Sequence, residues 1–372
     1  MKYLILSVPT GGGHDAAANA VAEALKSNGH DAEVYDSLGI ASTFLTKAVC
    51  GGYLWLVKHV PKFFGVMYNA SYNFTKPERK SFIYKMTAYR VGRLARFINE
   101  FNPDAVITTH VFAAQQLANL KRKEKLNRFL AGVITDYDIQ PLWEETDMDI
   151  IFTPHESLNE GYRRRGVDKA QLIAAGIPVS PEVVCPADRN AAKAAAGLET
   201  DMKHIVVAGG SMGAGKMPAT VKALLDIADE STQIVVVCGS NRRLKRRFER
   251  MNEDRCRLRI LGFVRPLHKL IAAADVFISK PGGLSSSEAF NVRCPMIVVH
   301  PIGGVESHNA EFMKKHGLAL CPADDREIAE CAKLVLNDGK TADDLKKAME
   351  KFVSSSASEQ IAKRIIEETQ KA

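Results

Sequence analysis

A chain of 372 residues is long for one core and suits two domains. It is 46% hydrophobic and 25% charged, as globular proteins are, and no apolar run reaches the ~20 residues that span a bilayer. The net charge of +7 favours an anionic partner (nucleotide, nucleic acid or acidic lipid surface), while seven cysteines without a C-x-x-C pair fit a reducing cytoplasm and no metal site.

In chain order, the pattern predicts a strand over 2–8, a helix over 14–28 and a strand over 31–36. The apolar opening lacks a cleavage site and runs into a glycine turn, so it reads as a buried strand, not a secretory signal. Periodicity fails over 38–75, and further strands are expected at 104–109, 129–135, 149–152 and 171–175. Gly176, Pro178 and Pro181 then break regular structure and mark a boundary near 178/179. Beyond it a helix at 188–196 precedes strands at 204–208, 233–238, 257–261, 275–279 and 296–300, and a helix at 357–370 is placed to pack back on the first domain. Strands alternating with helices imply two doubly wound parallel α/β domains with a cleft between them.

Strand one ends in Thr10-Gly11-Gly12-Gly13-His14 before an alanine-rich helix. Glycines permit a tight turn and leave helix N-terminal N–H groups open to a ligand, although this is not G-x-G-x-x-G. A plain strand-to-helix turn is the alternative. His14 at the carboxyl edge of a parallel sheet has the titration range of a general base for a hydroxyl group. His110 and Asp136 also follow strand ends on this acceptor side; His110 could assist acceptor deprotonation, with a structural role as its alternative, and Asp136 could orient a partner or cap the next segment.

The second half carries three glycine-bearing loops at consecutive strand ends. Gly209-Gly210-Ser211-Met212-Gly213-Ala214-Gly215-Lys216 fails the P-loop spacing but is a credible phosphate cradle. Lys280-Pro281-Gly282-Gly283 leads into a helix with Ser285 and, one turn in, Glu288, whose carboxylate suits a ribose diol. Pro301 to Ala310 forms the third loop. Their convergence on one site is the expectation.

The ordered set G-G-S-x-G-A, G-F-V, K-P-G-G-x-[ST]-x-x-E-A and P-x-x-G-x-E-x-x-N-A resembles the donor domain of diacylglycerol glycosyltransferases. That family comprises monogalactosyldiacylglycerol synthases and processive diacylglycerol glucosyltransferases, and is similar to the GlcNAc transferase that makes lipid II. Gly12-Gly13-His14, Thr135-Asp136, Pro154 and Gly176-Ile177-Pro178-Val179 extend the resemblance over nearly the whole chain. It implies a GT-B fold and inverting transfer of a hexose from UDP-glucose or UDP-galactose to a diacylglycerol-type lipid, with no cofactor and no obligatory metal. Gly210, Ser211 and Gly213 would face the diphosphate, the Phe263 and Val264 backbone the uracil, and Gly282, Gly283 and Ser285 the phosphates. Glu288 would hold the ribose, and Val305, Glu306 and Asn309 would lie beside the hexose. Val305 stands where the family commonly has glutamine and Gly303 where it has proline, which bears on the sugar. Pro9 replaces an acid found in some members, leaving His14 as the main base.

Residues 40–101 combine aromatic and apolar side chains with Lys76, Arg79, Lys80, Lys85, Arg90, Arg93 and Arg96. That mixture suits interfacial docking on an anionic membrane surface, a peripheral enzyme at the inner face, against the alternative of a solvated basic helix. The runs 163–165 and 242–247 read as solvated faces, and no nucleic-acid-binding signature is present. A sugar-nucleotide 2-epimerase and a non-catalytic UDP-sugar or lipid-binding module are the rival readings.

Overall fold

A computed structural model of the chain describes residues 1–9, 12–41, 51, 60, 91–210, 217–251, 257–301, 303–353 and 355–371. Two compact units emerge: Met1–Pro181 with Ile302–Val305 and Ser355–Ala372, and Glu182–Pro301 with Glu306–Ser354.

The first unit runs β1 (Lys2–Ser7), α1 (Gly12–Ser27), β2 (Asp31–Asp36), α2 (Ser37–Ala41), α3 (Gly92–Phe101), β3 (Ala105–Thr108), α4 (Val111–Arg122), β4 (Phe129–Val133), β5 (Ile150–Thr153), α5 (Glu156–Arg164) and β6 (Leu172–Ala174). Its six strands are all parallel, in the order β2-β1-β3-β4-β5-β6. Leu4, Ile5 and Leu6 are fully buried, so both faces of β1 are covered, which is why it reads as an unbroken apolar run. One buried cluster packs Tyr3, Ile5, Ile107, Val133 and Phe152 against Val21 and Leu25. Gly132 is required in β4, since a Cβ there would meet Trp143 Cζ3 at 2.5 Å.

The second unit runs α6 (Arg189–Ala195), β7 (Lys203–Ala208), α7 (Met217–Leu225), β8 (Thr232–Val237), α8 (Arg242–Met251), β9 (Leu258–Leu261), α9 (Leu267–Ala273), β10 (Val276–Ser279), α10 (Gly283–Asn291), β11 (Met296–Val298), α11 (Val305–Lys315), α12 (Asp325–Asn337) and α13 (Gly339–Phe352). Its five strands are parallel in the order β11-β10-β7-β8-β9. Ile205, Val207, Ile234, Val236 and Ile278 pack with Val221, Leu224, Phe248 and Ile328. The final helix, α14 (Ala357–Lys371), places Ile361, Ala362 and Ile365 in the first unit's core.

Every strand expected from the sequence is present, with ends displaced by at most two residues. One boundary differs in a way that matters. The first helix begins at Gly12, so Gly12, Gly13 and His14 form its first turn and not a turn before it. No capping side chain marks that start in the sequence, and glycine at the first helical positions gives no signal of its own. The stretch 42–90 lies outside the described residues apart from Gly51 and Val60, and with it most of the interfacial segment expected at 40–101; Arg93 and Arg96 are exposed on α3.

Ile361→Ala should destabilise the first unit by about 3 kcal/mol, the cost of a cavity in a closed core. Chemical denaturation followed by intrinsic fluorescence measures it, and a loss under ~1 kcal/mol would mean that α14 is not part of that core.

Candidate functional site

A parallel sheet opens a crevice at its carboxyl edge wherever strand order reverses, because the loops on either side leave in opposite directions. In the first unit the reversal falls between β1 and β3. His14 follows β1 and Thr109 follows β3, and they meet there. His14 Nδ1 lies 2.9 Å from the Thr109 carbonyl oxygen, while Thr109 Oγ1 donates to the His14 carbonyl at 3.0 Å. A carbonyl can only accept, so Nδ1 carries the proton and Nε2 presents its lone pair. The Thr135 hydroxyl, also 2.9 Å from Nδ1, supports the ring from β4's end. Desolvation of the half-buried ring lowers the His14 pKa, partly offset by the Thr109 hydrogen bond and the nearby Asp15 charge. Asp15 itself is oriented by the Ser7 hydroxyl at 2.6 Å.

His110 packs edge-on to His14 with ring centroids 4.5 Å apart. Its Nδ1 accepts the Phe112 N–H at 3.1 Å, capping α4. Burial and the neighbouring imidazole push its pKa well below the ordinary histidine range, so this ring stays neutral. Capping is thus the role in which the structure places it. Asp136, half-buried after β4, accepts the Gln140 side-chain amide at 2.7 Å. Gly12 is exposed and Gly13 half-buried beside His14.

In the second unit the reversal falls between β7 and β10. Gly210, at φ +74°, turns the chain out of β7 through the left-handed region that glycine favours. A Cβ on it would lie 3.6 Å from Lys280 Cε, so the loops after β7 and β10 touch. Lys280 Nζ pairs with Glu306 Oε1 of α11 at 2.5 Å, and the buried Asn309 donates to the Pro281 carbonyl at 2.9 Å. Gly210, Lys280-Pro281 and the first turns of α11 therefore lie together at this switch point. Gly282 precedes α10 in extended conformation without a side-chain cap, leaving the first N–H groups of Gly283, Leu284 and Ser285 to the crevice. Ser285 Oγ is 3.7 Å from where a Gly282 Cβ would be.

Glu288, half-buried one turn into α10, has no partner for its carboxylate among the described residues, and burial pushes its pKa up to about 7. Phe263 is 60% exposed after β9, with Val264 half-buried next to it. Val305 opens α11. Ser211 and Gly213 lie outside the described residues. Among the described residues no three His, Cys, Asp or Glu side chains converge as a metal-ligand set.

Three residues have contacts here that their place in the sequence does not announce. Thr109 and Thr135 hold His14 through a carbonyl and a hydroxyl, contacts that only sheet order brings together; the signal available was their position at strand ends. Lys280 was visible in K-P-G-G, but its partner Glu306 is 26 residues away.

Two parallel α/β sheets of six and five strands make the GT-B fold. MurG of Acinetobacter baumannii superposes with a TM-score of 0.59 at 14% identity, covering 100% of both chains. A UDP-N-acetylglucosamine 2-epimerase superposes with a TM-score of 0.62 at 14% identity, covering 99% of this chain and 95% of that one. At such identity the likeness is one of fold, and fold does not separate transferase from epimerase. Sequence does. Residues 14–179 match the family described as monogalactosyldiacylglycerol (MGDG) synthase, and residues 204–365 match the glycosyltransferase family 28 C-terminal domain. The chain belongs to the MGDG synthase and family 28 glycosyltransferases. A processive diacylglycerol beta-glucosyltransferase of Bacillus pumilus is 26% identical over 372 residues, covering 99% of this chain and 95% of that protein.

The Glu288 pKa carries a sign. Unfolded, the carboxyl ionises in the ordinary glutamate range; folded, it holds its proton to about 7. Stability is therefore lost as pH rises through that interval, and the loss is complete above it. Glu288→Gln should stabilise the protein by on the order of 2 kcal/mol at pH 8 and leave it unchanged at pH 4. Denaturation midpoints at the two pH values test this, and equal stability at pH 8 would remove the burial assignment.

Proposed function

We propose that the chain transfers a hexose from UDP-glucose or UDP-galactose to diacylglycerol at the membrane surface, as a peripheral enzyme at the inner face, with inversion at the anomeric carbon. The single observation that supports this reading is the meeting of Gly210, Lys280 and Glu306, with the uncapped start of α10 after the same strand and the unpartnered Glu288 carboxylate one turn in. The acceptor class is supported by the relatives, whose names include diacylglycerol.

The proposed step is one displacement. His14 Nε2 takes the proton of the acceptor hydroxyl, whose oxygen forms the new bond to the anomeric carbon. The bond from that carbon to the UDP oxygen breaks, and UDP leaves with the electron pair. The Thr109 carbonyl supports the charge that His14 then gains, as well as fixing its tautomer. Backbone N–H groups at Gly210 and at the start of α10 hold the leaving diphosphate, so no metal is obligatory. Glu288 accepts hydrogen bonds from the ribose hydroxyls. The Phe263 and Val264 backbone faces the uracil, and Val305, Glu306 and Asn309 lie beside the hexose. Ser211, Gly213 and Ser285 complete the phosphate contacts, and His110 and Asp136 border the acceptor.

A UDP-release screen of UDP-glucose, UDP-galactose and UDP-GlcNAc, each with diacylglycerol vesicles and with EDTA present, tests the function. UDP release that requires the lipid is expected. Conversion of UDP-GlcNAc without any acceptor would instead make the chain an epimerase. His14→Ala should cut transfer by about 100-fold or more while sparing UDP affinity, and near-normal turnover would refute its role as base. Hydrogen bonds from the ribose favour the ionised form of Glu288, so UDP affinity should rise with pH through about 7. Calorimetric titration should show that pH dependence vanish in Glu288→Gln, and its persistence would move the effect to another group.

A further inference from the structure

Helix α8 carries five arginines and one lysine against one glutamate, a net +5 in ten residues of a chain whose total is +7. At 100° per residue, Arg242, Arg243, Arg246, Arg247 and Arg250 fall within an arc of about 140°, a stripe about 12 Å long. All five are exposed. The buried Phe248 and the half-buried Leu244 lie on the opposite face, where they hold the helix to the second unit's core.

Folding alone does not account for this stripe. Its members repeat at i,i+4 (242 with 246, 243 with 247, 246 with 250), where like charges repel. Arg242 and Arg243 occupy the first turn, which has no acid and where the helix dipole opposes cations. Glu249 pairs with Lys245 at 3.7 Å, off the stripe, and among the described residues none of the five arginines has a carboxylate partner. A row of exposed guanidinium groups matches a plane of anionic groups. Two exposed apolar side chains flank it. Met251 closes the helix at 42% exposure, and the 60% exposed Phe263 follows Gly262, where a Cβ would lie 3.9 Å from Lys245 Cδ. Cations flanked by exposed apolar groups suit the interface of a bilayer.

We propose that the arginine face of α8 is a docking surface for anionic phospholipid, giving the donor-binding unit a membrane contact of its own. The choice of a bilayer over another polyanion rests on the lipid acceptor proposed above; the docking itself is measured without turnover, so its failure and the failure of the transferase reading are separable.

The test is co-sedimentation of the full chain with vesicles of phosphatidylcholine alone and of phosphatidylcholine mixed with phosphatidylglycerol, across a salt series. The wild type should bind the mixed vesicles in a salt-sensitive way and the neutral ones weakly. Replacing all five arginines by glutamine should lower partitioning onto mixed vesicles by at least about tenfold, each near-surface cation contributing severalfold. UDP affinity, read by calorimetry, should stay unchanged, and the all-lysine variant should keep vesicle binding, which separates charge from fold. Three results would each overturn the proposal: equal partitioning of wild type and glutamine variant, no preference of the wild type for anionic vesicles, or binding to duplex RNA or DNA tighter than to vesicles at the same ionic strength.

Discussion

Both side-chain clusters, around His14 and around Lys280, depend on a constraint of parallel sheets: consecutive strands must be laid down on one side or the other of the first, and the change of side leaves a gap at the carboxyl edge. In the first unit β1 is followed by β2 on one flank and β3 on the other; in the second, β7 is followed by β8 on one flank and by β10 across the reversal. Backbone groups at these edges are not consumed by the ladder, so they remain available to side chains and ligands. The first unit uses its edge to aim an imidazole, through the Thr109 carbonyl. The second uses its edge to gather N–H groups and a lysine–glutamate pair.

Desolvation acts at both edges with opposite chemical consequences. It disfavours the charged form of either group, so it lowers the histidine pKa and raises the carboxyl pKa. His14 is thereby kept as a free base near neutral pH, the form able to accept a proton. Glu288 is kept protonated to about 7 until something offers its carboxylate hydrogen bonds. One burial effect therefore favours a neutral imidazole in one unit and a neutral carboxyl in the other. His110 completes the logic: a second imidazole 4.5 Å away that stays neutral does not compete electrostatically with a proton arriving on His14.

Much of this was legible in the sequence because parallel strands buried on both faces are written as continuous apolar runs. The expected strand 31–36 coincides with Asp31–Asp36, and 204–208 differs from Lys203–Ala208 by one residue. Glycine at 210 and 282–283 likewise announced where backbone had to turn or come close to something. The start of α1 was not legible, since two glycines at a helix start look like a turn. Nor were Thr109 and Thr135, whose contribution is a carbonyl and a hydroxyl placed by strand order. Side-chain identity can be read in a sequence; the neighbour a backbone oxygen will have cannot.

The Lys280–Glu306 pair shows how the two kinds of information combine. Each residue sits in a glycine-bearing motif readable by itself, yet the pairing exists only because β10 and β11 are adjacent and parallel, so that both loops leave the same edge. With side chains only 17% and 20% exposed, the pair is too enclosed for the screened, nearly neutral interaction of a surface ion pair. Removing Glu306 would leave Lys280 as an enclosed charge without this carboxylate, which is costly. Its geometry also joins the loop after β10 to the first turn of α11 beside the Gly210 turn. If the proposed donor site holds, a diphosphate at Gly210 and the α10 start would meet a Lys280 side chain oriented by Glu306. In this chain the loops leaving β10 and β11 are tied to each other by the Lys280–Glu306 pair and the Asn309–Pro281 hydrogen bond.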